Sequence, residues 1–284
     1  MAREPVLTAM RPYLRRYLRY LADPHSGADL TETEAGLVPA DDPARMYPVL
    51  EGGVVSLSDE AARAASEDFD RASRHKGRSI PSEDAFRALP REGLPGWPVG
   101  YWEQRAHSTA VVWDVLEGLR RQAGRPAVGV QGVAADITAD LPYLAHGLDA
   151  GGFITLALSP YAGRFGLGAY PYSRYCRIQA SYEALPLRAG LFDVVIFSGS
   201  LPHMTPEVAG AALARAVDWL KPDGHLLVTD TPDGRAVLDQ LDTLGLRTRQ
   251  RAIPRGGNPA RLVRGVIRAG RTPPVIVAAR HSFS

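Results

Sequence analysis

The chain has 284 residues, of which 45% are hydrophobic and 23% charged, with a net charge of +2, a composition typical of a soluble globular protein. No apolar run approaches the length of about eighteen residues that a membrane helix needs, and no signal-peptide pattern opens the chain. The single cysteine, Cys176, excludes an intrachain disulfide and a multi-cysteine zinc site, so we expect a cytoplasmic protein without a metal.

The first hundred residues carry short, varied patterns. Apolar positions at helical spacing predict a helix over residues 10–21, and a turn follows at 23–27. Residues 58–98 are charged and then rich in proline and glycine, which indicates a linker with some helix or a lid. Short segments with β-strand character lie between the turn and residue 58, at residues 37–38, 47–50 and 54–57.

A different pattern begins near residue 100. Ser108 is expected to cap a helix with an apolar stripe at Val112, Val115, Leu116 and Leu119, which ends at Gly124. Four apolar stretches follow, at residues 127–133, 153–158, 192–197 and 225–229. Strands that alternate with helices predict an α/β fold, in which a mainly parallel sheet is covered by helices on both faces.

Positive charge collects towards the end of the chain. Residues 243–284 contain nine arginines and no acid. Lysine occurs only at Lys76 and Lys221 while arginine is common, so we interpret these arginines as solvated surface charge, with an RNA-binding face as the alternative.

Four motifs in order mark residues 180–230. Residues 180–187 read ASYEALPL, 191–197 read LFDVVIF, 201–204 read LPHM, and 220–224 read LKPDG. This order and spacing resembles the second half of the class I methyltransferases that use S-adenosylmethionine (SAM). The resemblance implies a Rossmann-like, doubly wound, seven-stranded and mainly parallel sheet over residues 100–284, with SAM as the cofactor.

The resemblance also implies where the site lies. Ligands of open α/β sheets bind beyond the carboxyl ends of the strands, so the loop 198–203 is expected at the mouth of the pocket. The expected catalytic residue is His203, as an acid or base. Asp193 is expected to order the start of its strand. The expected cofactor-binding residues are Gly132, Ser159, Ser181, Tyr182, Ser198 and Gly199.

The family's cofactor motif is altered in this sequence. The family has approximately D-x-G-x-G-x-G after its first strand, and we align this pattern with residues 129–135, where Gly129 replaces the acid. The second strand ends in Ser159 rather than an acid, and Ser181 replaces another. Three functions therefore stay open. They are a SAM-dependent methyltransferase of unknown acceptor, a catalytically inactive, methyltransferase-like binding or scaffold protein, and an RNA-binding protein that uses the arginines and tyrosines.

Residues 18–63 resemble a small zinc-ribbon-like family that accompanies methyltransferases. The shared features are LADPHSGADL at residues 21–30 and MYPVLEGGV at 46–54, with Asp23, Ser26, Ala40 and Pro43 near the expected ligand positions. Without thiolates, a structural zinc ion is not expected. We expect a small domain over residues 1–63, a linker or lid over 64–99, and the large domain after it. This layout resembles that of bacterial ribosomal-RNA guanine methyltransferases and, with the arginines, is the reason to consider RNA. The acceptor is expected to be a small molecule or RNA, and no DNA partner is expected.

Tyrosines and arginines cluster between the second and third strands. We interpret this cluster as the packing of a long insertion, and the alternative is stacking on a flat substrate or base. Cys176 is expected to be buried and inert. The cluster consists of Tyr161, Tyr170, Tyr172, Tyr175, Arg164 and Arg174.

Overall fold

The computed structural model describes residues 14–280, except for 51, 99, 123, 125–130, 171–173, 232 and 252–274. Tyr172, residues 10–13 of the first expected helix, residues 127–130 of the first expected strand and most of the C-terminal arginines lie outside the described residues.

A small antiparallel sheet forms the front of the chain, after a helical segment at residues 14–18. It consists of β1 (Leu30–Glu32), β2 (Gly36–Pro39) and β3 (Tyr47–Pro48) in sequential order. A side chain at position 36 would lie 2.1 Å from the carbonyl oxygen of Tyr47, so only glycine allows β2 and β3 to approach this closely.

Eight strands make up the large sheet, in the order β10-β11-β9-β8-β5-β6-β7-β4. All neighbours are parallel except β11, which is antiparallel to both β9 and β10. This confirms the expected mainly parallel α/β sheet, and β4 of the front segment makes the strand number eight rather than seven. The strands are β4 (Val55–Ser56), β5 (Gly132–Thr138), β6 (Phe153–Ser159), β7 (Cys176–Gln179), β8 (Phe192–Ser198), β9 (Leu220–Thr229), β10 (Arg247–Arg251) and β11 (Val275–Ala279).

Local capping explains where several helices begin. The Thr205 hydroxyl accepts a hydrogen bond from the Val208 N–H, and Pro206 follows as the first helical residue. No helix among the described residues has the length and apolar character of a membrane span. The helices are α1 (Glu60–His75), α2 (Glu83–Ala88), α3 (Tyr101–Gln122), α4 (Tyr143–Ala150), α5 (Pro206–Trp219) and α6 (Gly234–Thr243).

The front segment shares a hydrophobic core with the large sheet. Tyr17, Leu37 and Tyr47 are buried in the same cluster as Ile178 and Phe197 of β7 and β8. The hydrophobic effect therefore holds the two sheets together, because separating them would expose these side chains. The domain boundary at residue 63 stays a prediction.

Two sequence expectations are wrong in position. Strand β5 begins at Gly132, where the apolar pattern placed the end of the strand. Helix α3 begins at Tyr101, so Ser108 lies within the helix and does not cap it. The stretch expected to be a linker or lid contains α1 and α2.

Candidate functional site

Six parallel strands end side by side at one edge of the sheet, which we call the carboxyl edge. Because all six run in the same direction, the loops that follow them enclose a common region. Their last residues are Ser56, Thr138, Ser159, Gln179, Ser198 and Thr229.

A buried ion pair lies at the carboxyl edge. Arg105 of α3 is only 6% exposed, and its Nη1 donates to Oδ2 of Asp230 at 2.6 Å. The carboxylate of Asp230 also accepts hydrogen bonds from Gln104 at 3.1 Å and Ser108 at 2.6 Å. Asp230 has a φ of 57°, which is uncommon for a residue other than glycine. Its side-chain contacts therefore hold the end of β9 against α3.

Two further carboxyl groups are buried near this pair. Asp136 accepts hydrogen bonds from the Ser198 hydroxyl and, at 3.0 Å, from the Ala145 N–H, while burial raises its pKa to about 6. Asp140 lies 3.7 Å from Nη2 of Arg105, and burial raises its pKa to about 7. At this edge, three buried carboxyl groups lie around the buried guanidinium of Arg105. A second buried guanidinium of the described residues, that of Arg177 on β7, donates to the carbonyl oxygens of Leu167 and Tyr170. The surplus of acid favours a ligand with positive charge.

The loop after β5 lies beyond residues 129–135, with which we aligned the family's glycine motif. Asp136 stands at the end of β5, so D-x-G-x-G-x-G falls on residues 136–142, with the acid kept and Thr138, Asp140 and Pro142 at the glycine positions. The alignment that gave Gly129 the place of the acid involves residues outside the described part of the chain and stays a prediction. Gly132 begins β5 at the amino edge of the sheet, opposite the carboxyl edge, and its assignment to the cofactor site also stays a prediction.

The other expected cofactor-binding residues lie at the carboxyl edge. The Ser159 hydroxyl accepts a hydrogen bond from the Tyr161 N–H at 3.2 Å, and Ser181 directly precedes the short 3₁₀ turn that starts at Tyr182. The Tyr182 hydroxyl donates to the Thr138 carbonyl oxygen at 3.1 Å. Tyr182 thus links the loops after β7 and β5.

The loop after β8 lies directly against Arg105. Gly199 has a φ of +63°, and a side chain there would lie 1.8 Å from Nη1 of Arg105. The next hydroxyl, of Ser200, is completely buried and has no hydrogen-bond partner in the described part of the chain. An unpartnered buried hydroxyl is costly, so a ligand that hydrogen-bonds Ser200 would remove this cost.

His203 lies in a 3₁₀ turn that follows this loop and is exposed. Desolvation of its ring lowers its pKa, and the positive charges of Arg105 and Arg78 lower it further. The ring is therefore neutral at neutral pH and able to accept a proton, which the sequence-based role requires.

The described tyrosines of the cluster pack against other parts of the protein. The Tyr161 ring stacks on Phe69 at 3.9 Å, and the Tyr170 ring stacks on Phe86 at 4.8 Å. Tyr175 is buried, and its hydroxyl donates to the Pro142 carbonyl oxygen at 3.3 Å. These contacts support the packing interpretation.

Cys176 is buried, and burial raises the pKa of its thiol to about 12. It is therefore inert as a nucleophile, as the sequence predicted.

Asp193 has the structural role that the sequence predicted. Its carboxylate accepts hydrogen bonds from the Val133 N–H at 2.8 Å and from Nζ of Lys221 at 2.7 Å. The FDVV and LKPDG motifs thus meet at the amino edge of the sheet, away from the site.

Sequence reasoning missed Arg105 and the role of Ser108. The apolar stripe of α3, read backwards from Val112 in steps of four and three residues, reaches Ser108 and then Arg105. Polar residues on the same helix face as the apolar stripe were thus the sequence signal that could have identified Arg105 and Ser108. Across the described residues, no group of three or more histidine, cysteine or acidic side chains is arranged to hold a metal ion.

The chain is similar to a family model and to solved structures. Residues 158–228 match a family model described as a methyltransferase domain. A magnesium protoporphyrin IX methyltransferase from Synechocystis PCC 6803, solved with bound SAM, is 13% identical, and the match covers 78% of this chain and 98% of that chain with a TM-score of 0.50. A 1,6-didemethyltoxoflavin-N1-methyltransferase from Burkholderia thailandensis is 17% identical over 89% of this chain and 94% of that chain, with a TM-score of 0.42. No curated protein matches the sequence.

Proposed function

We propose that this chain is a SAM-dependent methyltransferase of the class I fold. The observation that carries the proposal is the surplus of buried carboxyl groups at the carboxyl edge, where Asp136, Asp140 and Asp230 face Arg105. SAM is a sulfonium cation with an additional ammonium group. A buried, acid-rich crevice stabilises such a ligand because the low local dielectric strengthens the attraction between opposite charges.

The residues at this edge fit the cofactor in charge and in hydrogen-bonding capacity. Asp136 and Asp140 would face its cationic groups, and the unpartnered hydroxyl of Ser200 would hydrogen-bond one of its polar atoms. Ser159, Ser181 and Gly199 lie on the loops around the same region. When bound, SAM supplies a methyl group activated by the positive sulfur.

His203 is the candidate base for the acceptor. It follows the loop after β8, and its lowered pKa keeps the imidazole neutral near neutral pH. A neutral imidazole accepts the proton that an oxygen or nitrogen nucleophile loses when it is methylated. The remaining task of the protein is to align the nucleophile with the methyl group.

Calorimetric titration of the purified protein with SAM and with S-adenosylhomocysteine tests the proposal. We expect Kd values of about micromolar, with SAM binding more tightly above about pH 8 because the demethylated product lacks the sulfonium charge. The Asp140→Asn variant should weaken SAM binding about tenfold and leave product binding nearly unchanged. Absence of heat with SAM up to about millimolar concentration would reject the proposal.

A second candidate is a methyltransferase-like protein that binds other ligands without methylating them. The observation that favours it is the 138–142 loop, which contains no glycine where the family has three. Side chains in this loop restrict the approach of the backbone to a ligand. The same titration separates the two candidates, because only the first requires SAM binding.

A further inference from the structure

Two stretches of the segment between α1 and α3 are fixed against each other. Gly96 has a φ of +78°, and a side chain there would lie 2.0 Å from the carbonyl oxygen of Gly77. The Ser79 N–H donates to the Pro95 carbonyl oxygen at 3.1 Å. These backbone contacts place Arg78 beside Trp97.

Arg78 is held by aromatic rings. Its guanidinium carbon lies 4.4 Å from the ring centroid of Trp97 and 5.9 Å from that of Phe69, and Nη1 donates to the Ser73 hydroxyl at 3.2 Å. No carboxylate of the described residues pairs with Arg78 within 4.0 Å. The side chain is therefore oriented, while most of its donors remain available for an anion.

The charge of Arg78 acts on the candidate site. Burial raises the pKa of Asp140, and the positive charge of Arg78 opposes this rise. The same charge contributes to the lowered pKa of His203, after desolvation and Arg105. The positive charge of Arg78 thus acts both on the loop after β5 and on the candidate base.

An aromatic wall adjoins this position. Phe69 and Tyr161 stack at 3.9 Å with an interplanar angle of 14°, and Phe69 also borders Arg78. Trp97 packs against Tyr101 at 4.9 Å, and the indole N–H of Trp97 and the hydroxyl of Tyr101 are buried without partners among the described residues. A flat ring with polar substituents at this position can accept hydrogen bonds from the Trp97 N–H and the Tyr101 hydroxyl.

We propose that Arg78 recognises an oxyanion carried by a flat, aromatic methyl acceptor, and that this contact directs the acceptor's nucleophile towards His203. This inference rests on the proposed function. Carboxylates and phosphates both match the planar fork of a guanidinium, and the acceptor carries one of them.

Calorimetry with three probes tests the inference. The probes are 3,4-dihydroxybenzoate, its uncharged amide 3,4-dihydroxybenzamide, and phenyl phosphate, each titrated into the full chain with and without SAM. We expect the benzoate or the phosphate to bind at least about tenfold more tightly than the amide, since a hydrogen bond to a charged group is lost with the amide. The preferred anion identifies carboxylate or phosphate as the natural group.

Variants assign the effect to Arg78. Arg78→Gln should remove the preference for the anion, and Arg78→Lys should keep part of it, because the charge remains without the planar fork. Arg74→Gln, an exposed arginine of the same helix-to-loop region, is the matched control and should behave as the wild type. Equal binding of all three probes, no binding of any, or a preference that survives in Arg78→Gln would overturn the inference.

The SAM titration keeps the two proposals distinguishable. Anion binding that depends on Arg78 without any SAM binding would reject the methyltransferase and its acceptor together, and would leave only an anion site. SAM binding with equal affinity for charged and uncharged probes would reject the inference and retain the methyltransferase.

Discussion

Asp140→Asn is expected to stabilise the protein in alkaline solution although Asp140 lies in the candidate site. Burial is the main cause that raises the pKa of Asp140 from 3.8 to about 7, against the opposing charge of Arg78. A shift of about three pKa units means that ionising this side chain costs ~4 kcal/mol more in the folded than in the unfolded protein. An asparagine of nearly the same shape does not ionise.

The sign of the pH dependence follows from the raised pKa. Between pH 3.8 and about 7, the folded wild type holds this proton more tightly than the unfolded chain does. The contribution of this proton to the free energy of unfolding is therefore present below pH 3.8 and is lost as the pH rises to about 7. We expect the variant to exceed the wild type by ~3–4 kcal/mol near pH 8.5 and by ~1 kcal/mol near pH 4.5.

Urea denaturation followed by circular dichroism at both pH values measures this difference. Asp114→Asn, on the exposed face of α3, is the matched control and should change the free energy of unfolding by less than ~0.5 kcal/mol at either pH. Near pH 8.5, Asp140→Asn could instead be no more stable than the wild type. That result would show that the charge of Asp140 is fully compensated in the folded protein, and it would contradict a surplus of acid at the carboxyl edge.

Three further substitutions test other contacts. Gly199→Ala should lower the free energy of unfolding by ~2 kcal/mol more than Gly190→Ala. Both glycines have a positive φ, but only a Cβ at position 199 would meet Arg105. Equal losses of stability in thermal melts would contradict this contact. Asp230→Asn removes the negative charge that pairs with Arg105, while asparagine still tolerates the positive φ at this position. We expect urea denaturation to show a free energy of unfolding lower by ~3 kcal/mol. A decrease below ~1 kcal/mol would show that the ion pair contributes little to stability. At Asp23, burial raises the pKa but hydrogen bonds outweigh it and lower the pKa below 3.8, so the ionised side chain stabilises the fold fully above pH 3.8 and less as the pH falls. Asp23→Asn should therefore cost ~1–3 kcal/mol at neutral pH and remove the fall of the melting temperature in acid. A variant whose melting temperature falls in acid as steeply as that of the wild type would refute this.

Most strands of the large sheet were predictable because they are buried on both faces. The apolar stretches 153–158, 192–197 and 225–229 all lie within strands, since a parallel sheet covered by helices selects continuous apolar runs. Strand β5 breaks this rule because it carries Asp136, whose partners Ser198 and Ala145 are distant in the sequence. Local pattern cannot reveal partners of this kind.

The site was predictable to the level of loops but not of individual side chains. Ser198, Gly199 and His203 lie at the end of β8 and in the segment after it, and their roles in a site stay predictions. The charged residues that dominate its electrostatics come from α3, from the β5 loop and from the end of β9. These residues come together because of how the helices pack on the sheet. The hydrophobic periodicity of the sequence shows which face of a helix is buried, but not which part of the sheet that face contacts.

The pairing of β4 with β7 determines how the chain tolerates shortening. Val55 and Ser56 cover the edge of β7 through parallel pairing with Ile178 and Gln179. A shortened protein that began at residue 100 would present these backbone groups to other molecules, and an unprotected strand edge readily recruits a second chain. We therefore expect removal of the amino-terminal third to cause self-association of the shortened protein.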